Sequence, residues 1–168
     1  FIKKKFLDIE GYKNIEHLES GDDDLLMQKF CKHTNYKLKF IIDKKASVYS
    51  KPPSTINQFI KQRLRFASKG LFYYTWKADL SLRIILPIIY ITNLIICFSI
   101  IQFTSTANIK WLIPWILKSL SDFYLTYNFC NKTNQNWHIY DCLILSLIHP
   151  FYIVIFGALG PIIKIQWK

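Results

Sequence analysis

Residues 81–103 read SLRIILPIIYITNLIICFSIIQF, and the only charge in this stretch, Arg83, lies close to its start. A helix needs about 20 apolar residues to cross the ~30 Å hydrocarbon core of a bilayer, so the stretch is long enough to do so. Pro87 is acceptable there because side chains and neighbouring helices can satisfy the backbone group that a proline leaves open. The sequence therefore predicts a membrane helix over about 81–103.

Two further apolar runs follow, at about 111–130 and about 140–163. The first of them contains Lys118 and Asp122, which are four residues apart and would face each other on one side of a helix. Ionisable groups at membrane depth are usually paired in this way. We favour a second membrane helix with an internal ion pair over an interfacial helix. The membrane region, 81–168, is therefore expected to hold two to three helices.

The charged residues are concentrated before these runs. Up to Arg83 the chain has 17 Lys and Arg against nine Asp and Glu, and after it five against two, which together give the net charge of +11. Basic residues immediately before a membrane segment are typical of its cytosolic side and are attracted to anionic lipid. We therefore expect membrane lipids, and no nucleic acid, as partners of this basic part.

Residues 1–80 are interpreted as mixed α/β. A turn is predicted at Gly11-Tyr12, and a helix is predicted to start at the aspartates 22–24, because acidic side chains are stabilised in a first helical turn. The stretch 36–42 is rich in strand-forming residues with partial alternation, which predicts a strand. Lys51-Pro52-Pro53 is expected to end regular structure.

An amphipathic helix is predicted over 55–76, with Ser54 as its N-cap. Six apolar residues share one face at helical spacing and are expected to be buried: Ile56, Phe59, Ile60, Leu64, Ala67 and Leu71. Four residues share the other side: Gln62, Arg65, Phe66 and Lys69. Because a solvated helix face rarely includes a phenylalanine, this second side indicates a binding function.

Asp22, Asp23 and Asp24 form the other unusual feature. A carboxylate held at a helix start can act as a general base or as a metal ligand. A helix start needs only one acidic residue, and three in a row repel one another. Taken alone, the run favours a functional role and a helix-start role about equally.

The order of these motifs resembles the family 2 glycosyltransferases, which have a glycosyltransferase-A fold and C-terminal membrane helices. The resemblance covers nearly the whole chain and rests on these segments: Gly11-Tyr12, the SGDDDLL of 20–26, Pro52-Pro53, the QRLRFASKG of 62–70, the HPFY of 149–152 and Trp167-Lys168. Cellulose synthase, hyaluronan synthase and ceramide glucosyltransferase are relatives, and bacterial enzymes are the most similar. The resemblance implies an α/β remnant of a glycosyltransferase-A domain at 1–80, followed by transmembrane α-helices.

The resemblance also implies the reaction and its residues. The reaction would be an inverting transfer from a nucleotide-sugar donor to a lipid or polysaccharide acceptor. Asp23 matches the catalytic base, and Asp22 matches the acid before it. The matches to the family's Gln-x-x-Arg-Trp segment imply contacts to the donor diphosphate and the acceptor, and they lie at Gln62, Arg63, Arg65 and Phe66. Phenylalanine replaces the family's tryptophan, which leaves the acceptor's identity open.

The family's nucleotide-binding half, with its Asp-x-Asp metal site, is expected upstream of Phe1. The divalent cation (Mg²⁺ or Mn²⁺) would then be held mostly by residues outside this chain, which would be inactive alone. Asp22-x-Asp24 has the letters of that metal site, but its place before Leu25-Leu26 matches the base motif. The implied location is multi-pass in a bacterial inner membrane, with the catalytic part cytosolic. The alternatives are a non-catalytic membrane anchor or adaptor and an aspartate-rich membrane prenyltransferase.

Overall fold

The structure, a computed structural model, describes residues 3–16, 22–33, 39, 41–46, 48–75 and 79–163. The regular elements in these ranges are helices. In chain order they are α1 (Lys3–Asp8), α2 (Asp22–His33), a 3₁₀ turn (Lys44–Ala46), α3 (Ile56–Ser68), α4 (Phe72–Thr75), α5 (Leu80–Thr106), a 3₁₀ turn (Ile109–Leu112), α6 (Ile113–Thr133) and α7 (Ile139–Leu159).

The prediction of a mixed α/β fold with a glycosyltransferase-A remnant is wrong, because the described residues form helices and no strand. The predicted strand at 36–42 lies mostly outside the described residues. Its described members have no regular structure, and Ile41 and Ile42 are exposed. Strand-forming side chains specify a strand only where a neighbouring strand or a packed face accepts them. The described part of the chain offers no such neighbour.

The chain divides into two compact units. The first unit consists of Phe1–Phe40, Lys51–Leu86 and Phe156–Lys168, and the second consists of Ile41–Ser50 and Pro87–Ile155. Helices α5 and α7 each contribute residues to both units.

The core of the first unit lies between α1, α2 and α4. Its buried members are Ile9, Ile15, Leu25, Leu26 and Tyr73, and Phe6, Phe30, Phe72, Leu82 and Leu86 pack against them. Lys29 of α2 is also buried, and its ammonium donates to the carbonyl oxygens of Gly11 (2.8 Å) and Lys13 (3.1 Å). These two bonds offset the cost of burying the charge and fix α2 against the preceding turn.

That turn confirms the prediction at Gly11-Tyr12. Gly11 has φ +52°, which a residue with a side chain adopts only at a cost. A Cβ atom on Gly11 would also lie 2.8 Å from Cζ of Phe6, closer than carbon atoms pack. Glycine is therefore required here for both its backbone conformation and the space it leaves.

The helix predicted over 55–76 is shorter than expected. Thr55, rather than Ser54, caps α3 by accepting a bond from the backbone N–H of Gln58 (3.2 Å), while Ser54 donates its hydroxyl to the Gln58 side chain (2.9 Å). α3 ends at Ser68 and is followed by a turn that contains Gly70, a weak helix former. The last predicted residue, Trp76, lies outside the described residues.

Among the described residues, two helices are long and apolar enough to cross a membrane: α5 (Leu80–Thr106) and α7 (Ile139–Leu159). They confirm the helices predicted at about 81–103 and 140–163, with ends shifted by a few residues. Only 17% of the apolar window of α5 and 11% of that of α7 are buried within the chain. The core helix of a soluble protein would be mostly buried, so these two helices are candidate membrane spans rather than core helices.

The run predicted at about 111–130 forms α6, although whether it crosses a membrane stays a prediction. The predicted pairing of Lys118 with Asp122 is confirmed, because the ammonium contacts the Asp122 carboxylate. The same Nζ atom lies 2.9 Å from Nδ1 of His149 on α7. Nearby, the Trp115 indole N–H donates to the carbonyl oxygen of Ser146 (3.1 Å). Polar contacts therefore hold α6 against α7.

Candidate functional site

The acidic helix start and the end of α3 are joined by direct contacts in the first unit. Asp24, on the first turn of α2, accepts a bond from Lys69 Nζ (3.0 Å), although 45 residues separate the two in sequence. The same carboxylate oxygen accepts the hydroxyl of Tyr73 on α4. One carboxylate therefore connects α2 to the residue that follows α3 and to α4.

Tyr73 is buried in the core, and its environment keeps it protonated. Burial raises the pKa of the phenol above its usual range, and the hydrogen bond to Asp24, with the charges of Asp24 and Asp23, raises it further. A neutral phenol can donate to a carboxylate, so the Tyr73–Asp24 bond persists at neutral pH. The other oxygen of Asp24, Oδ1, is buried and has no hydrogen-bond partner among the described residues.

Asp23, the predicted base, differs from its neighbour. It is exposed, and its Oδ1 accepts the backbone N–H of Asp24 at 2.8 Å. An exposed carboxylate at a helix start is accessible to an incoming hydroxyl group, as a general base must be. Asp22, the other predicted catalytic residue, begins α2, and its side chain lies outside the described part of the chain.

The four predicted substrate-contacting residues lie together on α3. Gln62, Arg63 and Arg65 are half-buried, and Phe66 is 41% exposed. The amide oxygen of Gln62 is buried and has no hydrogen-bond partner among the described residues. A buried polar atom left in this state costs free energy, so it needs an explanation such as a bound water, an ion or a functional role.

The two arginines surround the aromatic residue. Cζ of Arg63 lies 5.6 Å from the centre of the Phe66 ring, and Cζ of Arg65 lies 5.1 Å from it. Arg63 is also 5.0 Å from the centre of the Phe59 ring. At these distances a guanidinium is attracted to the ring's π electrons. The exposed ring and the two cations therefore form one arginine–aromatic cluster, which consists of Phe59, Arg63, Arg65 and Phe66.

The expected burial of α3's apolar face is mostly wrong. Leu64 is buried, whereas Ile56, Phe59, Ile60 and Leu71 are exposed. The remaining member, Ala67, packs against the end of α7: a Cβ atom built on Gly160 would lie 2.3 Å from Cβ of Ala67. The Phe59 ring also meets the Phe156 ring edge-on, with centres 6.3 Å apart.

The contact that sequence reasoning missed is the Asp24–Lys69–Tyr73 network, because Asp24 was left without a specific role. A signal was present. Lys69 shares the polar side of the predicted helix with Gln62 and Arg65, and Tyr73 is four residues further, one helical turn away. A lysine and a tyrosine on one side of a helix can both donate hydrogen bonds to one carboxylate, and the aspartates at 22–24 were a group to consider for it.

No group of three or more His, Cys, Asp or Glu side chains that could hold a metal ion occurs among the described residues. The divalent cation and its ligands therefore stay a prediction. Neither family models, nor curated proteins, nor solved structures match this chain. The resemblance to glycosyltransferases consequently rests on the motifs themselves.

Proposed function

We propose that this chain carries the acceptor side of a membrane-bound, inverting glycosyl transfer reaction. The observation that supports the proposal best is the bond between Asp24 and Lys69. It joins the acidic turn to the end of the helix that carries Gln62, Arg65 and Phe66, although the two segments are far apart in sequence. A transferase needs these groups in one place, because its base and its charge-stabilising cation act in the same step.

In this proposal Asp23 is the general base. Its carboxylate takes the proton of an acceptor hydroxyl while the hydroxyl oxygen bonds to the anomeric carbon of the donor sugar. The bond from that carbon to the nucleoside diphosphate breaks at the same time, and the diphosphate leaves with the electron pair. Asp24, which Lys69 and Tyr73 hold in place, orients the turn that carries Asp23.

Arg65 would act on the leaving group of the reaction, and Phe66 on the acceptor. A guanidinium stabilises the negative charge that develops on the departing diphosphate and can bind two of its oxygens at once. The exposed ring of Phe66 offers an apolar face to the acceptor, and the unpartnered Gln62 amide oxygen can accept a hydroxyl. The donor's nucleotide and a divalent cation would be held largely by residues outside this chain.

The membrane part of the proposal rests on α5 and α7, which have the length and apolar surface to cross a bilayer. Basic residues are concentrated before α5, which supports a cytosolic position for the first part of the chain. A lipid-soluble or membrane-bound acceptor would then meet the site at the membrane surface.

Transfer assays on membranes from cells that express the whole protein test this proposal. Radiolabelled UDP- and GDP-sugars are supplied as a panel, and the label is followed into butanol-soluble and insoluble products. We expect Asp23→Asn to lower the rate on the order of 10²–10⁴-fold, because the proton acceptor is lost. Arg65→Gln should lower it as well, while donor binding in Asp23→Asn should be retained.

Asp8→Asn is the matched control, because Asp8 is an exposed aspartate at the end of α1. It should keep wild-type turnover. Undiminished turnover in Asp23→Asn would show that Asp23 is not the general base. If the wild-type protein transferred no sugar from any donor in the panel, the transferase proposal would be refuted in favour of a membrane anchor or adaptor.

A further inference from the structure

Helix α3 combines exposed apolar side chains with an unbroken excess of positive charge. Ile56 is 79% exposed, and Phe59 and Ile60 are 36% and 39% exposed, all in the first half of the helix. Between Asp43 and Asp79 the sequence contains eight Lys and Arg and no acidic residue. Apolar residues on one side of a basic helix are typical of a helix that lies in a membrane surface.

The position of α3 follows from its contacts with the end of α7. Ala67 packs on Gly160, and the Phe59 ring meets that of Phe156, so the helix is attached to the last turn of α7 and the residue after it. If α7 crosses the bilayer, as proposed above, its last turn lies where the hydrocarbon core ends. A helix attached there lies at the boundary between lipid and water.

Arg63 supports this position. On a helical wheel it falls on the apolar side, between Phe59 and Ile56, and its guanidinium is within cation–π distance of the Phe59 and Phe66 rings. An arginine in an apolar surface lays its aliphatic stem along that surface and keeps its charged end at the polar boundary. There the guanidinium can also meet the phosphates of lipids.

We propose that the first half of α3 docks on an anionic phospholipid surface, inserting Ile56 and Ile60 among the headgroups while Lys51 and Lys61 contact lipid phosphates. Charge complementarity favours anionic over neutral lipid, since the segment carries no compensating acid. The proposal rests on the membrane crossing of α7. It adds to the proposed transferase that the position of α3, the helix that carries the candidate site, depends on the charge of the lipids.

Depth-dependent fluorescence quenching tests the docking. An environment-sensitive fluorophore is attached to Ile56→Cys in a background in which the exposed Cys31 is serine, and that background, treated identically, is the blank. Met27→Cys on α2 is the control site, because Met27 is also apolar and exposed (46%) but lies on another helix. Both proteins are reconstituted in vesicles of phosphatidylcholine with or without phosphatidylglycerol, plus headgroup-level spin-labelled lipid.

Spin-labelled lipid should quench the fluorophore at residue 56 in anionic vesicles and leave residue 27 unquenched. Replacing Lys51 and Lys61 by glutamine should weaken the docking equilibrium roughly fivefold for each lysine. Lys3→Gln with Lys4→Gln, the same charge change on exposed residues of α1, should leave it unchanged.

Each other outcome contradicts a defined part of the proposal. Equal quenching at residue 56 in neutral and anionic vesicles would overturn the selectivity for anionic lipid. A protein that resists alkaline extraction but shows no quenching at residue 56, or equal quenching at residue 27, would overturn the docking and leave the transferase proposal standing. A protein that alkali removes from the vesicles would overturn the membrane crossing on which both proposals rest.

Discussion

Each of the two units contains a lysine–aspartate pair, and the two pairs are built differently. In the first unit, Lys69 reaches Asp24 from 45 residues away, and Tyr73 is a second donor to the same carboxylate. In the second unit, Lys118 and Asp122 are one turn apart on the same helix, and His149 of α7 is the third member.

The surroundings of the two pairs explain the difference. The side chains of Lys69 and Asp24 are 20% and 30% exposed, so water screens their attraction, and the pair acts mainly by joining separate segments. The Lys118 side chain is 11% exposed and lies in a largely apolar helix. A cation there needs partners, because an unpaired charge in such a place is costly. The first pair thus joins the segments that carry the candidate site, whereas the second allows a charge within apolar helices.

Removing each lysine would break this comparison most directly. We expect Lys118→Met to lower the free energy of unfolding by about 1.5–3 kcal/mol, because Asp122 and His149 both lose their charged partner. Lys69→Met should cost about 1–2 kcal/mol, because Tyr73 still donates to Asp24 and the pair is partly exposed. Unfolding of the detergent-solubilised protein by increasing dodecyl sulfate measures both.

Lys110→Met is the control, since Lys110 is exposed and forms no ion pair among the described contacts. This variant should unfold at the same dodecyl sulfate concentration as the wild-type protein. A second replacement, Asp122→Asn, should restore part of the stability lost in Lys118→Met, because it removes the unpaired carboxylate. A Lys118→Met protein as stable as Lys110→Met would show that the Lys118–Asp122 pair is not needed for stability.

Helix α7 is held in a different way in each unit, and this difference can also be tested. In the second unit the contact is the polar one of His149, whereas in the first unit Gly160, which follows the helix, lies directly against Ala67. Gly160→Ala should cost about 1–3 kcal/mol, because the added methyl would lie 2.3 Å from Cβ and 2.8 Å from the carbonyl carbon of Ala67.

The companion change is Ala67→Gly, which removes the opposing methyl group. Gly160→Ala combined with Ala67→Gly should recover part of the lost stability in the same dodecyl sulfate titration. A Gly160→Ala protein that unfolds like the wild type would mean that α7 and α3 separate without cost, and the attachment used to position α3 would then be wrong.

The sequence predicted the long helices and the Lys118–Asp122 pair because both depend on local rules. Apolar length fixes α5 and α7, and a spacing of four residues fixes which side chains meet on one helix. The turn at Gly11 was predicted for the same reason, since glycine is a strong local turn signal.

The sequence did not predict that the regular elements described in residues 1–80 are all helices, or how much of α3 is exposed. Whether a segment such as 36–42 becomes a strand depends on a pairing partner, which no local pattern specifies. Likewise, the amphipathic pattern of α3 shows which residues share a face, but not whether protein or lipid covers that face. Of the candidate site, the residues on α3 were predicted together, while the Lys69–Asp24 contact depends on tertiary packing.

The hydrogen bond between Tyr73 and Asp24 should make the stability of the first unit depend on pH in the alkaline range. The pKa of Tyr73 in the folded protein is raised, so its contribution to stability is complete below the unfolded value of about 10 and is lost as the pH rises through the folded value. Tyr73→Phe should lose about 1–2 kcal/mol at neutral pH, with Asp24 keeping Lys69 as its donor. Melting temperatures of both proteins between neutral and alkaline pH measure the difference.

The wild-type protein should lose its advantage over Tyr73→Phe above about pH 10. Lysines also titrate in this range, but they are present in both proteins, so their effect cancels in the comparison. If the two melting curves stayed parallel to the highest pH, the raised pKa would not be linked to folding, and the Tyr73–Asp24 bond would carry no stability.

The smallest expected effect concerns how a helix begins in each unit. α5 starts after Asp79, whose Oδ1 accepts the N–H of Ser81 at 2.8 Å, whereas α6 starts after Leu112 without a side-chain bond and with Pro114 in its first turn. Hydrogen bonds from the Ser81 side chain and from its backbone N–H lower the pKa of Asp79. Its capping contribution is therefore present above the unfolded value of about 4 and is lost as the pH falls through the lowered value. Asp79→Asn should therefore lower the melting temperature less than any change above, by an amount that vanishes in acid. Leu112→Ala removes a half-buried apolar side chain and no titrating cap, so its effect should be the same at every pH. A loss in Asp79→Asn that is equally independent of pH would show that the Asp79 carboxylate has no special role at the start of α5.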